Sequence, residues 1–330
     1  MKEKIRRKIR SPKNNFQKNK MKNKIQIKKI ALWIGVVFII LFIGLICLGL
    51  NVQKQQVLIL HKQSLQILAN EKAAQVNNFL ESQKEKLEII ATMNVFKEAV
   101  LYPNDTAKIE IAKNRIDELK SIIPGIGVLT KEGIIILADI DLPGTDYSAL
   151  LVFPMNNNSS IVFTKYYDPL RKKDYYAVGG PIYDRIEKNK VIGAIAFDIE
   201  LDKISALMKR ALESETNEVY LIDENGLLLS SSKYIGDGNK NGALIQEVKS
   251  EGAKECLEHL KKYGKNKSVE EHTEEVIQYT NYMGNEVFGA HAYIPSIIGC
   301  VIAEKSADEI TRFSLIGYII NTFKKEVNNE

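Results

Sequence analysis

The rhythm of apolar and polar positions changes three times along this chain, and each change marks an element. From Ala31 to Leu50 (ALWIGVVFIILFIGLICLGL) twenty residues pass without a charge, long enough for a helix to cross a bilayer. From Gln53 to Leu101 the apolar residues thin to Leu65, Leu68, Val76, Phe79, Leu80, Leu87 and Ile90, near a 3.6-residue period and with no Pro or Gly between them. That pattern predicts one long helix with a single buried stripe, a stalk reaching about 50 Å at 1.5 Å per residue. Pro103-Asn104-Asp105 ends it, and Thr106 to Ile122 reads as a second helix with Asp105 placed to cap it.

Beyond Pro124-Gly125 the runs become short and β-branched. GVLT, IIILADI, SIVFTKYY, DYYAVGGPIY and VIGAIAFDI predict five strands of an antiparallel sheet, and Leu201 to Leu212 resumes a helical period. A second round follows. EVYLIDENGLLLSSS predicts two strands joined through Asn225-Gly226, a dipeptide favoured in tight hairpins. Ala243 to Tyr263 reads as a helix, VIQYTNYMGNEVFGAHAYI as a hairpin turning at Gly284-Asn285, and IIGCVIAEKS as the last strand. The expected fold class is α+β: a long N-terminal membrane and stalk helix, then two tandem sheet-plus-helix modules with antiparallel sheets. The expected boundaries are a basic arm at 1–30, a membrane span at 31–50, stalk helices at 51–123, modules at 124–214 and 215–306, and a C-terminal amphipathic helix or tail at 307–330.

Charge orients this arrangement. The whole chain carries 46 basic and 41 acidic residues, a net +5. Thirteen Lys or Arg and one Glu fall in the first thirty residues, so the arm holds +12 and the remainder 5 − 12 = −7. The asymmetry makes the arm cytoplasmic and residues 51–330 extracytoplasmic. The apolar core exceeds the roughly 7–15 residues of a secretory signal, and no small-residue cleavage site follows it, so a retained, single-pass anchor in the cell membrane is expected. Cys47 follows Ile46 and reads as an ordinary membrane residue. The arm reads as a topology signal that also favours anionic lipid, not as a nucleic-acid site.

Composition excludes more than it suggests. Of the three cysteines only Cys256 and Cys300 lie beyond the span, which rules out a disulfide framework and leaves one bridge open. His61, His259, His272 and His291 lack metal-ligand spacing, and there is no P-loop, G-x-S-x-G or G-x-G-x-x-G. No metal, cofactor or enzymatic activity is expected. Asp168 sits in Tyr167-Asp168-Pro169, ordinary turn chemistry. Arg171-Lys172-Lys173 reads as a solvated hairpin tip, and Gly179-Gly180-Pro181 as a strand kink or bulge.

The stretch from about Gly127 to Asp308 resembles the double Cache domain, the extracytoplasmic ligand-binding part of many prokaryotic chemoreceptors and sensor kinases. The resemblance is carried by GVLTKEGIIILADIDLPGTDYSALLVF, KYYDPLRKKDYYAVGGPIYD, KVIGAIAFDIELDKI, EVYLIDENGLLLSSS and VFGAHAYIPSIIGCVIAEKSADEI, in the family's order. It implies two PAS-like modules, with a ligand in the membrane-distal first one. The family's amine-binding members use a Tyr from a P-Y-x-D phrase and an Asp from a G-x-x-x-x-D-I strand, which fall here on Tyr166 and Asp198. The same resemblance puts Asp168 and the aromatics Phe153 and Tyr176 (or Tyr175) at the pocket. Where amino-acid-binding relatives carry R-x-W-Y, this chain has Leu150, Val152 and Phe153. Losing the guanidinium removes a carboxylate's bidentate partner, which argues against a free α-amino acid and for an amine or other cation held by charge and aromatic faces. The bland alternative makes these aromatics core and Asp198 a cap for the helix at Leu201.

The expectation is therefore a membrane-anchored sensor of a small polar metabolite, whose partners are that ligand, the membrane, a second copy through the stalk and a separate cytoplasmic signalling protein. The apolar run from Phe313 to Ile320 is too short to span. An anchored interaction protein that kept the fold without a ligand, or a truncated receptor, is the alternative.

Overall fold

Helix α1 runs from Lys13 to Ala91 in the computed structural model, which describes residues 13–141, 143–147, 161–168, 171–187, 189–209, 217–232, 246–263, 276–297 and 299–312. Residues 59–311 form one compact unit; residues 1–58 with 312–330 form another. Between Leu32 and Leu48 α1 exposes its large apolar side chains all round, as a lipid-facing helix does. Further along, Leu65, Ala69, Ala73, Val76, Leu80, Leu87 and Ile90 are buried, spaced by threes and fours, so one stripe of the helix faces the core. Lys72 lies inside that stripe at 1% exposure. Its ammonium donates to the Leu207 carbonyl at 2.6 Å, which makes burial of the charge tolerable.

The helix does not continue to Leu101 as its period predicts. It stops at Ala91, Met93 adopts an extended conformation, and α2 (Asn94–Leu101) follows as a separate helix that buries Phe96 and Ala99. The Thr92 hydroxyl donates back to the Ile89 carbonyl, the local bonding by which Thr and Asn compete with helix continuation. Helix α3 (Thr106–Leu119) is capped by Asp105, whose carboxylate accepts from the N–H groups of Ala107 and Lys108.

The first sheet is antiparallel and contains β1 (Gly127–Thr130), β2 (Ile135–Ala138), β3 (Val162–Asp168), β4 (Lys173–Tyr183) and β5 (Val191–Glu200) in the order β2-β1-β5-β4-β3. Alternation splits β5 by size. Ile195, Phe197 and Ile199 point to one face; Ala194, Ala196 and Asp198 point to the other. The bulky face is covered by helices: a side chain on Gly180 would meet Leu87 of α1, and one on Gly193 would meet Val100 of α2. Of the expected kink or bulge at Gly179-Gly180, the bulge is absent. Register runs unbroken through both and shifts only between Ile182 and Tyr183, so the glycine at 180 serves close helix packing.

Helix α4 (Leu201–Lys209) leads to the second antiparallel sheet, built from β6 (Asn217–Ile222), β7 (Ile277–Thr280), β8 (Glu286–Ile294) and β9 (Gly299–Ser306) in the order β6-β9-β8-β7. After the Asn225-Gly226 turn the chain forms only isolated bridges at Leu227 and Leu228 instead of the full second strand predicted. Helix α5 (Glu251–Tyr263) packs on this sheet and is joined to β9 by a disulfide between Cys256 and Cys300. It begins at Glu251, Glu247 being bridged to Leu227, while residues 243–245 of the predicted helix lie outside the described residues. A short helix, α6 (Ala307–Arg312), follows β9.

Candidate functional site

Small side chains make room on the open face of the first sheet. Gly127, Ala177 and Ala196 sit where large residues would fill the space, and a narrow recess of about 40 Å³ lies over them. Thr164 and Tyr166 of β3 and Leu129 and Ile135 of β1 and β2 form its sides. Asp198 from β5 and Asp141 and Tyr147 from the segment after β2 supply its remaining polar groups. Among the described residues, its wall holds two carboxylates and two phenols, and no lysine or arginine.

Asp198 is fixed from several directions. Its backbone N–H donates to the Pro124 carbonyl at 3.1 Å, and Gly125, at φ +70°, passes against its carboxylate. The Tyr166 hydroxyl donates to Oδ1 at 2.8 Å. Arg171 Nη2 donates to Oδ2 at 2.6 Å and to the Tyr166 oxygen at 3.0 Å, while Arg171 Nε donates to Asp168 Oδ2. The guanidinium also lies over the Tyr175 ring, 3.9 Å from its centroid, and Tyr175 stacks on Tyr166 at 5.8 Å. Asp198 is 8% exposed. Burial pushes its carboxyl up to about 6, against the opposing pull of Arg171 and Tyr166. Burial, then the Asp198 charge, pushes the Tyr166 phenol up. Tyr147 is raised by burial and by Asp141, which accepts its hydrogen bond. The recess is thus a desolvated, net-negative seat with aromatic faces, chemistry suited to an organic cation.

Identity follows from this same segment: the dCache family model, a Cache domain, matches residues 51–312. The chain belongs to the Cache family. No curated protein matches it in sequence. Solved structures match it in fold. The sensor domain of the V. cholerae histidine kinase DctB superimposes with a TM-score of 0.56 at 11% identity, covering 77% of this chain and 98% of that one. The ligand-binding domain of the Pseudomonas aeruginosa PAO1 amino acid chemoreceptor PctC, in complex with GABA, gives 0.52 at 14% identity, covering 74% and 100%. The extracellular domain of rpHK1S-Z16 gives 0.54 at 14%, covering 77% and 97%. The first two of these are a sensor domain and a ligand-binding domain.

Within this Cache domain the residues singled out from the sequence divide. Tyr166 and Asp198 meet directly, and Asp168 joins them through Arg171. The Asp198 side chain is committed to this cluster and not to capping α4. Tyr176 is on the wrong face: it pairs in register with Lys165 and Ile199 and packs edge-on to Phe163 at 6.4 Å, buried on the helix-covered side. Tyr175, its neighbour, takes the place beside Tyr166, because strand side chains alternate. Phe153, with Leu150 and Val152, lies outside the described residues.

Arg171 corrects the sequence reading most. Lys172 and Lys173 are exposed, but the Arg171 side chain is only 20% exposed and forms the centre of the ion-pair network. The signal was its position three residues after Asp168, whose carboxylate accepts from both its backbone N–H and its guanidinium. Gly125 was legible as a turn residue, not as the surface on which Asp198 rests. Asp141 carried no signal at all.

Proposed function

We propose that this chain is a membrane-anchored extracytoplasmic sensor that binds a small amine or other organic cation over the first sheet and passes the change to α1. The observation that carries this reading is the pocket wall: Asp141 and Asp198 face the recess beside Tyr147 and Tyr166, with no basic residue among the described lining. An anion entering it meets two carboxylates; an ammonium group meets charge partners and aromatic faces. Tyr166, Asp198 and Asp168 are the proposed ligand-site residues, with Asp141 added.

The route outward is short. Asp198 sits two residues before the end of β5, α4 follows directly, and Lys72 of α1 holds the Leu207 carbonyl of α4. A ligand that prefers one setting of β5 shifts that setting's population only by its preference between the two. The extracytoplasmic placement rests on three features: the helix from Leu32 is long and apolar enough to span, the basic arm precedes it, and Cys256–Cys300 is a bridge of the kind that persists in oxidising compartments. The second copy and the separate cytoplasmic partner belong to the same proposal.

The test is a thermal-shift screen of the detergent-solubilised full chain against amines, amino acids, small carboxylates and purines, since a ligand of the native state raises the melting temperature. An amine that stabilises the wild type and not Asp198→Ala or Tyr166→Ala supports the reading. Stabilisation by carboxylates alone, or an amine response untouched by both substitutions, sinks it.

A further inference from the structure

We propose that Arg171 is a tethered competitor for the cation seat of this pocket, so that a ligand's cationic group binds by exchanging with the Arg171 guanidinium at Asp198 and not beside it. The inference rests on the amine-sensing reading and sharpens it.

The seat is built as a site for an organic cation would be. The guanidinium is held by the carboxylates of Asp168 and Asp198 and the Tyr166 hydroxyl, with the Tyr175 ring beneath it. Two carboxylates and an aromatic face are the groups that recognise alkylammonium and guanidinium ligands from solution. Here the occupant arrives on the chain itself.

It also arrives beside a strained residue. Asp168 Oδ1 accepts the Arg171 backbone N–H at 3.1 Å, and Lys172 adopts φ 54°, a left-handed conformation that residues with a Cβ seldom take. Releasing Arg171 lets Lys172 leave that conformation. A structural ion pair on a rigid strand would offer no such change.

Charge favours exchange over simple displacement by water. Asp141 lines the same recess and is within electrostatic reach of Asp198. Two carboxylates hold the guanidinium, and a third, Asp141, stands beside the seat with no cation of its own among the described recess lining. A ligand cation meets Asp141 first, then takes the Asp198 Oδ2 that Arg171 gives up. The tether raises the apparent Kd by the reciprocal of the fraction of time the seat is open, which makes Arg171 a determinant of affinity and of which cations succeed.

The experiment removes the occupant and offers its equivalent. In the full chain, Arg171→Ala leaves a guanidinium-sized vacancy over Tyr175. Methylguanidinium chloride at millimolar concentration, with sodium chloride as the ionic-strength control, is expected to raise the melting temperature of R171A saturably. The wild type should respond at least about tenfold more weakly, the exchange penalty read directly. Adding Asp198→Asn to R171A should abolish the response. Arg171→Gln, which keeps bulk without charge, covers a poorly folding R171A: it should bind ethylammonium at least about tenfold more tightly than the wild type. Equal responses in wild type and both variants overturn the proposal. So does ethylammonium binding in the wild type that is lost in both, because Arg171 would then be part of the ligand's own surface. A wild type stabilised only by carboxylates sinks the amine-sensing reading, while a methylguanidinium response in R171A that needs Asp198 would still uphold the seat.

Discussion

The carboxylate of Asp198 occupies the space a side chain on Gly125 would need: a Cβ built at Gly125 would lie 2.6 Å from the Asp198 carboxyl carbon. Gly125 is also at φ +70°, so substitution there is opposed twice, by contact and by backbone conformation.

Gly125→Ala is therefore expected to cost about 1–3 kcal/mol and to push Asp198 off Tyr166 and Arg171. At this domain size each kcal/mol lowers the melting temperature by roughly 2–4 °C. Gly144→Ala is the control. Gly144 is at φ +91° with nothing within 4 Å of a built Cβ, so it should lose stability and keep ligand response. Equal loss of response in both variants would show that strain, not contact with Asp198, is what matters.

The buried carboxyl of Asp198 predicts a pH dependence with a definite sign. Its ordinary value is 3.8, and burial pushes it up to about 6 in the folded chain. Between those values the native state holds a proton that the unfolded state has released. That stabilisation is fully present below 3.8 and is lost as pH rises through 6, an effect on the order of 2–3 kcal/mol at most. Glu304, buried in the second sheet, is raised in the same direction, so the comparison must be with Asp198→Asn. The melting temperature of the wild type minus that of D198N should fall as pH goes from about 4 to about 6.5. A difference that rises would mean that Arg171 dominates and holds the carboxylate ionised. Amine binding should run the opposite way and strengthen across the same interval, because the ammonium needs the anion.

These two results turn on features of different legibility. The β-strands of the first sheet and the Asp105 cap were readable because period-2 alternation and capping chemistry are local. Tyr166 and Asp198 were reachable through a family resemblance. Even so, the strand parity that separates Tyr175 from Tyr176 was available in DYYAVGG and settles which one reaches the site. The small-residue face of AIAFDI, which makes the cavity, was equally visible as alternation of size. What stayed hidden was the long-range geometry. Asp141 approaches Asp198 across 57 residues of chain, and Lys72, which reads as an interruption of a hydrophobic seam, is accommodated by a carbonyl at Leu207. The break at Thr92 has no Pro or Gly to announce it, because the burial of Phe96 and Ala99 directs the chain there.

The Cys256–Cys300 bridge closes a separation of 44 residues between α5 and β9 inside a dry cluster that includes Tyr220, Leu228 and Ile302. Constraining a loop of that length stabilises a fold by about 2–4 kcal/mol. Thermal melts with and without reductant should separate by roughly 4–16 °C, and Cys256→Ser with Cys300→Ser should reproduce the reduced curve. Identical melts in oxidised and reduced buffer would mean that the bridge contributes nothing to the native state.

Lys165 turns away from the pocket while its neighbour Tyr166 turns toward it, and the Lys165 ammonium pairs with the carboxylate of Asp223 in the turn after β6. Asp223 is fully buried and also accepts the backbone N–H groups of Asn225 at 2.9 Å and Leu227 at 2.7 Å. Burial pulls the Lys165 amine below its ordinary value, so the pair is costly to form and costlier to break. Lys165→Met should destabilise by about 3–5 kcal/mol, because it strands a buried carboxylate. Asp223→Asn keeps the two backbone acceptor bonds but leaves the ammonium unmatched. Combining the two should cost less than the sum of the singles by at least about 1 kcal/mol, measured by denaturant unfolding of all four proteins. Strict additivity would mean the two charges do not interact. A coupling of the expected size would make Lys165 a direct tie from the strand that carries Tyr166 to the second sheet, one residue from the proposed ligand.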